Sequence, residues 1–337
     1  MHIFYLIFVC LFSLKANSQE SDKLFVTPEE FGCVSDAIEK AGKNADCFQR
    51  MIDYAIKNKV KIVSSANKKY YISKSLHINR PIIIEFNGGL LIATDTIDMI
   101  TIKRSHKNNR LNSGIISGLY LDLNKKAKSG LRFDDAVKVH VHDCWIYGIP
   151  QNTFGIMIQK GCGELFFNNL NLEGGENAAG GIKVNTHDCH FTDIAMIDCS
   201  PAVENSGSNF YERLHAWMGA LGRWINNSVF FRVTGGETVF LHQCFSDTFD
   251  KAFSIESKTN LHISQHKNYH NKIMWNKDDD KINPLFFFFK DDSLAKQSNI
   301  TLENSHIGGL IIKGKNRQKI SNVLDVNIKN LNSIISY

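Results

Sequence analysis

One six-residue pattern recurs along the chain: apolar, any, apolar, polar, polar or Asn-like, then small or apolar. It appears as VHVHDC (139–144), LFFNNL (165–170), CHFTDI (189–194), NFYERL (209–214), VFLHQC (239–244), LHISQH (261–266), ITLENS (300–305) and VNIKNL (326–331). The fifth position reads Asp143, Asn169, Asp193, Arg213, Gln243, Gln265, Asn304 and Asn330, at spacings of 26, 24, 20, 30, 22, 39 and 26 residues. Gly118, 25 residues before Asp143, is the expected start of the series. Most repeats also carry an earlier apolar strand: GLRF at 130, GIMI at 155, GIKV at 181 and AFSI at 252.

Irregular repeats of this length, built on short period-two strands, predict a solenoid in which stacked coils share one continuous core. A parallel β-helix fits. The Leu/Asn framework of a leucine-rich repeat is absent, and a β-propeller, the second choice, needs a more constant period. Strand alternation sends positions one, three and six inward and positions two and four outward. The sixth position then places Cys144, Leu170, Ile194, Leu214 and Cys244 in the core, with the cysteines acting as small apolar residues. The fifth position is a turn column, suited to a polar ladder running from coil to coil. FFFF at 286–289 reads as a strand buried on both faces, and 267–284, with KDDDK inside it, as an insertion.

Two outward stripes follow. One holds His140, Phe166, His190, Phe210, Phe240 and His262; the other holds His142, Asn168, Thr192, Glu212, His242 and Ser264. A face this rich in Phe and His is expected to be a sugar-binding groove, or else to be covered by a loop, a terminal segment or another copy of the chain. In the second case the stripe would be a homo-oligomer interface.

The N-terminal stretch FGCVSDAIEKAGKNADCFQRMIDYAIKNKVKIVSSANKKYYISKSLHIN resembles the opening of the pectate-lyase-like superfamily. Members commonly begin with an FGA-x-GDG-x-x-DDT-like segment, an amphipathic helix, a short strand and a G-x-Y-x-I-like element. Phe31-Gly32, Asp46, a helix near Cys47–Lys57, a strand at Val60–Val63 and Tyr70-Tyr71-Ile72-Ser73 fill those places, while VSDAIEKAG replaces the GDG turn. Asp46 with Gln49 reads as a capping box, and Phe48, Ile52 and Ala55 as the buried stripe of a helix that plugs the open end of the solenoid. The resemblance implies an all-β, right-handed parallel β-helix as one domain over 19–337, with a cap segment at about 27–60. It also implies action on polysaccharides by lyases, hydrolases, epimerases or depolymerases, and it includes members with no known catalysis. Fold alone does not choose among these.

Composition narrows the surroundings. MHIFYLIFVCLFSLKANS (1–18) has an apolar run from Ile3 to Leu14 and small residues at Ala16 and Ser18, the pattern of a signal peptide cleaved after Ser18. A secreted or periplasmic protein with no later membrane insertion is expected. Loss of Lys15 takes the formal charge from +5 to +4, a mild basicity without a nucleic-acid-binding stripe. The remaining seven cysteines contain no C-x-x-C, which argues against structural zinc, and Cys33 and Cys47 are placed to pair.

Lyase chemistry on an acidic, uronate-containing glycan is the leading expectation. It needs a base for the proton alpha to the carboxylate and a cation for the enolate-like charge. Arg213, His215, His242 and Arg223 are the available set, and Arg213 breaks an otherwise amide and carboxylate column. A ladder salt bridge from Arg213 to Asp193 accounts for the same residue. A hydrolase would use carboxylates about 5–10 Å apart; Asp193 and Glu212 on neighbouring coils are the best pair, with Asp188, Asp198 and Asp247 behind them. Trp217, Arg223, His190, Phe210 and Phe240 would bind substrate. No cofactor is indicated: a calcium site needs three or more converging oxygens and no spacing marks one. His187-Asp188-Cys189-His190 alternates between faces and is not a chelate. A non-catalytic glycan-binding or assembly protein is the rival from another class.

Overall fold

The computed structural model describes residues 23–64, 66–104, 113–219, 227–236, 238–269 and 285–308, with short pieces at 310–313, 316–317 and 323–328. The segment 1–18, Arg223, Asn330 and most of the 267–284 insertion lie outside the described residues.

Two long sheets dominate, one of fifteen strands and one of eleven, and nearly every pairing joins parallel strands of successive coils. The coil around NFYERL shows the plan. Asn209–Trp217 lies in the first sheet between His190–Ile197 of the preceding coil and Thr238–His242 of the next. Val229–Val233 of the same coil lies in the second sheet, between Val203–Asn205 and Lys251–Ile255. Like positions stack in register: Phe191 pairs with Tyr211, Thr192 with Glu212, Tyr211 with Leu241. This is a parallel β-helix, as the repeat pattern predicts.

The inward columns form one core. Phe167, Phe191 and Tyr211 stack face to face at 4.9 Å per coil, and Cys144, Leu170, Ile194, Leu214 and Cys244 are buried beside them. All five free cysteines are buried, and burial pushes the Cys144, Cys189 and Cys244 thiols up to about 12. Such thiols are packing groups rather than nucleophiles. His266 continues the sixth-position column as a fully buried imidazole, its Nε2 3.1 Å from Ser246 Oγ, and burial lowers its pKa to about 3.

The fifth position is a backbone device. Asp143, Asn169, Asp193, Arg213, Gln243, Gln265 and Asn304 all adopt φ between 48° and 55°. That left-handed conformation bends each first-sheet strand between two straight halves and suits Asn and Asp better than most residues. Gly118 (φ 62°) shares it, and Asn87 (φ 49°) starts the column one coil earlier than expected. A Cβ at Gly118 would lie 2.7 Å from the Asn87 backbone nitrogen, so only glycine fits there.

The cap differs from expectation in its start. Helix α1 spans Ala41–Asn58, six residues longer at its N-terminus, with Lys40 at the N-cap and no side-chain cap. Asp46 and Gln49 therefore lie inside the helix and form no capping box. Asp46 instead pairs with Lys74 at 2.7 Å, and Gln49 exchanges two hydrogen bonds with the His77 backbone. Phe48, Met51, Ile52 and Ala55 pack into the end of the core. A Cys33–Cys47 disulfide fixes the helix to the preceding segment. No helix among the described residues is long and apolar enough to cross a membrane.

Candidate functional site

The outer face of the first sheet carries most of the residues singled out in the sequence, and it spends them on one another. His140, Phe166, His190, Phe210, Phe240 and His262 form an uninterrupted stack, with ring centroids 4.6–5.1 Å apart and planes within 4–14° of parallel. Phe210 and Phe240 are each 39% exposed, but by their edges. A sugar stacks on an aromatic face, and these faces are already occupied by the rings of adjacent coils. The geometry is that of a stabilising ladder, so the expected groove of ring platforms is not formed there.

The charged column beside it is equally self-satisfied. Arg213 gives Nε and Nη2 to the two Asp193 oxygens at 2.5 and 2.9 Å, and Nη1 to Glu212. Asp193 also accepts from Asn168 Nδ2 at 3.4 Å, and the Arg213 hydrogen bonds hold its carboxyl below the usual range. Asn169 to Asp143 (2.6 Å) and Gln243 to Gln265 (2.9 Å) continue the ladder. His142 Nδ1 lies 2.8 Å from Asp143, and that contact is the first cause of the lowered Asp143 pKa. His242, in register with Glu212, places Nδ1 2.8 Å from Ser264 Oγ. His215 lies past the left-handed bend and stacks on Phe245 at 4.7 Å; Trp217 is in register with Asp247. Arg213, Glu212 and Asp193 are thus brought together, while His215 and Trp217 belong to the other half of the strand. Asp198 is buried and accepts from the Gly219 backbone at 2.5 Å. In the 187–190 run, His187 Nδ1 accepts from the Ser208 backbone, Cys189 is buried and His190 is in the outer stack.

The outer face of the second sheet lies outside the six-residue pattern, because its strands are short and each turns a single central side chain outward. Register aligns those single residues into a column: Thr101, Arg132, Met157, Lys183, Glu204, Arg232, Ser254, Phe288. Lys183 Nζ lies 2.7 Å from Glu204 Oε1, and Arg232 Nη1 donates to Glu204 Oε2 at 3.2 Å. Arg232 Nε lies 3.2 Å from Glu256 Oε1 without directing its hydrogen at it, and Lys290 reaches Glu256 Oε2 at 3.9 Å. Nearer the cap, Arg132 is held by Asp134 (3.0 Å) and Asp98 (3.5 Å).

Two rings flank this network. Phe154 is half-buried with Lys183 Nζ 5.5 Å from its centroid, and a Cβ on Gly180 would strike its Cδ1 at 2.4 Å. Glycine at 180 is what lets the ring lie down on the strand. Phe288 is the half-exposed member of FFFF, beneath Lys251 Nζ at 4.2 Å. The expectation of a strand buried on both faces therefore holds for Phe286, Phe287 and Phe289 and fails at Phe288, which faces out. Lys251 has a lowered pKa, first because burial penalises its charge. Around Glu204, Glu256 and Asp250 stand Lys183, Arg232, Lys251 and Lys290, four cations against three carboxylates on this half of the face.

No protein-family model matches the sequence, and no curated protein sequence matches it significantly. Among solved structures, the chain is similar to ORF18 of Geobacillus virus E2, with 12% identity and a TM-score of 0.54 over 85% of this chain and 61% of that one. It is also similar to the gp42 tailspike of Acinetobacter phage vb_AbaP_AS12, with 12% identity and a TM-score of 0.56 over 84% of this chain and 51% of that one. The chain thus matches between about half and three-fifths of the length of these proteins. At such identity the likeness is one of fold. Together with the register above, it gives this chain a parallel β-helix fold.

Proposed function

We propose that the protein acts, outside the cytoplasm, on an acidic polysaccharide laid along the outer face of the second sheet, and that it cleaves this chain by β-elimination at a uronate. The observation that carries this reading is the half-buried network Lys183–Glu204–Arg232–Glu256, which Lys251 and Lys290 join to leave cations in excess between two aromatic plates. Polysaccharide action is what the superfamily resemblance implies. The first sheet offers the same residue types with their faces and donors already used.

Elimination needs a base and a charge sink on one face. Lys251, its pKa lowered by burial, takes the proton alpha to the uronate carboxylate. Arg232 holds the carboxylate as negative charge builds on it. The electron pair forms the new carbon–carbon double bond, the glycosidic carbon–oxygen bond breaks, and the leaving oxygen takes up a proton. Hydrolysis has less support: Glu204 accepts from Arg232 and Glu256 from Ser254, whereas an acid catalyst must donate.

The experiment is to incubate the purified protein with uronate-containing polymers and follow unsaturated ends by ultraviolet absorbance. Product should fall at least a hundredfold in Lys251→Met and Arg232→Ala and persist in Arg213→Ala. Loss in the Arg213 and His215 variants alone would return the site to the first sheet. Binding without cleavage by the wild type would favour a glycan-binding protein.

A further inference from the structure

Arg132, Lys183 and Arg232 occupy one outward column of the second sheet, separated by Met157 and Glu204. A cation therefore recurs at every second coil. Their exposures are nearly the same, with side chains 33%, 31% and 32% accessible. Both arginines sit between two carboxylates. Arg132 donates Nε to Asp134 and Nη1 to Asp98, whereas Arg232 donates Nη1 to Glu204 and keeps Nε beside Glu256 without a hydrogen bond. Among the described residues, this leaves the Nη2 end of each guanidinium for a ligand. Lys183 has three N–H donors and places its ammonium 2.7 Å from one Glu204 oxygen. Pairing of this kind fixes a long side chain before binding, so less entropy is lost when a ligand arrives.

Strands in a sheet are about 4.8 Å apart, which is close to the length of one sugar unit in an extended chain. A glycan running along the axis thus meets one coil per sugar. Resting on the acidic-glycan reading above, we infer that the preferred substrate alternates, with a carboxylated sugar at every second position and a neutral sugar between. The acidic sugars lie over Arg132, Lys183 and Arg232. The intervening neutral sugars lie over Met157, which offers an apolar surface, and over Glu204, which offers an acceptor for hydroxyl groups. A homopolymer of uronates would force a carboxylate against Glu204, and like charges in contact oppose binding.

The test is gel retardation of the full chain in three polymers of similar length: an alternating uronate–N-acetylhexosamine polymer, polygalacturonate and neutral dextran. The alternating polymer should bind at least tenfold tighter than polygalacturonate, despite its lower charge density, and dextran should not bind. The charge-conserving exchange Met157→Lys with Lys183→Met shifts one cation by one coil and should abolish the preference. If that double variant unfolds earlier on heating than the wild type, Lys183→Gln serves instead, and should weaken the alternating polymer at least tenfold and polygalacturonate less than threefold. Equal binding of both acidic polymers, or a preference that survives the exchange, overturns the alternation and leaves the acidic-glycan reading standing. Failure to bind either acidic polymer overturns both.

Discussion

Arg213 on the first sheet and Arg232 on the second each sit between two carboxylates from the sheet around them. Arg213 directs Nε, Nη1 and Nη2 at Asp193 and Glu212, so every nitrogen of its guanidinium is engaged. Arg232 has Nη1 on Glu204 and Nε beside Glu256, and its third nitrogen faces neither. The rings differ in the same way. Phe210 is sandwiched between His190 and Phe240, whereas Phe154 and Phe288 lie singly beside a lysine ammonium. Both faces carry charge and aromatic rings; spare capacity is what separates them. Residues that satisfy each other build a stable solenoid, and residues left with donors can recognise something else.

The comparison can be tested from its largest expected effect downward. The buried stack sets the scale: Phe191→Ala, which opens the Phe167–Phe191–Tyr211 column, should cost about 3–5 kcal/mol in chemical denaturation. The outer stack, one column over, should be far less sensitive.

Acid comes next, because it would weaken a carboxylate–cation contact and also unfold the protein. His266 has a folded pKa of about 3 against about 6.5 unfolded. The unfolded chain therefore binds the extra proton. This contribution is complete above pH 6.5 and is lost as pH falls toward 3, about 2 kcal/mol of it by pH 5. His266→Leu should flatten the stability profile by one proton there, which separates acid unfolding from acid loss of binding.

Arg232→Lys keeps the charge but removes the planar fork, and should lower affinity for an acidic polymer about tenfold with little change in Tm. Phe210→Ala interrupts the outer stack and should cost about 1 kcal/mol of stability with glycan binding unchanged. Arg213→Lys should have the smallest effect of all, a shift in Tm at the limit of measurement, because an exposed ion pair contributes little. If Arg213→Lys instead abolished binding and Arg232→Lys did not, the assignment of the two faces would be reversed.

Much of this architecture was legible in the chain. The six-residue pattern sorts Val139, Val141 and Cys144 inward and His140 and His142 outward, and the structure agrees because period-two alternation is imposed by the backbone itself. The turn column was legible for the same reason, since Asn and Asp tolerate the left-handed bend that each coil needs. The helix start was not. Asp46 and Gln49 have the spacing of a cap, but contacts with Lys74 and His77, nearly thirty residues on, claim both side chains. Asn209 occupies an inward position despite its polarity. Its amide is satisfied by Cys189, Thr186 and Asn205, partners that only the coil geometry assembles.

The candidate site shows the same division. Sequence alone determined that the chain would stack into a solenoid, which residues would line its core and which would face out, because those properties depend on neighbours one to six residues apart. It could not decide which outward residues would be free to act. Lys183, Glu204 and Arg232 are separated by 21 and 28 residues and show no motif. They become one network because parallel register places their strands side by side. Whether a cation is spent or spare is a property of what lies one coil above and one coil below it, and that is set by tertiary structure.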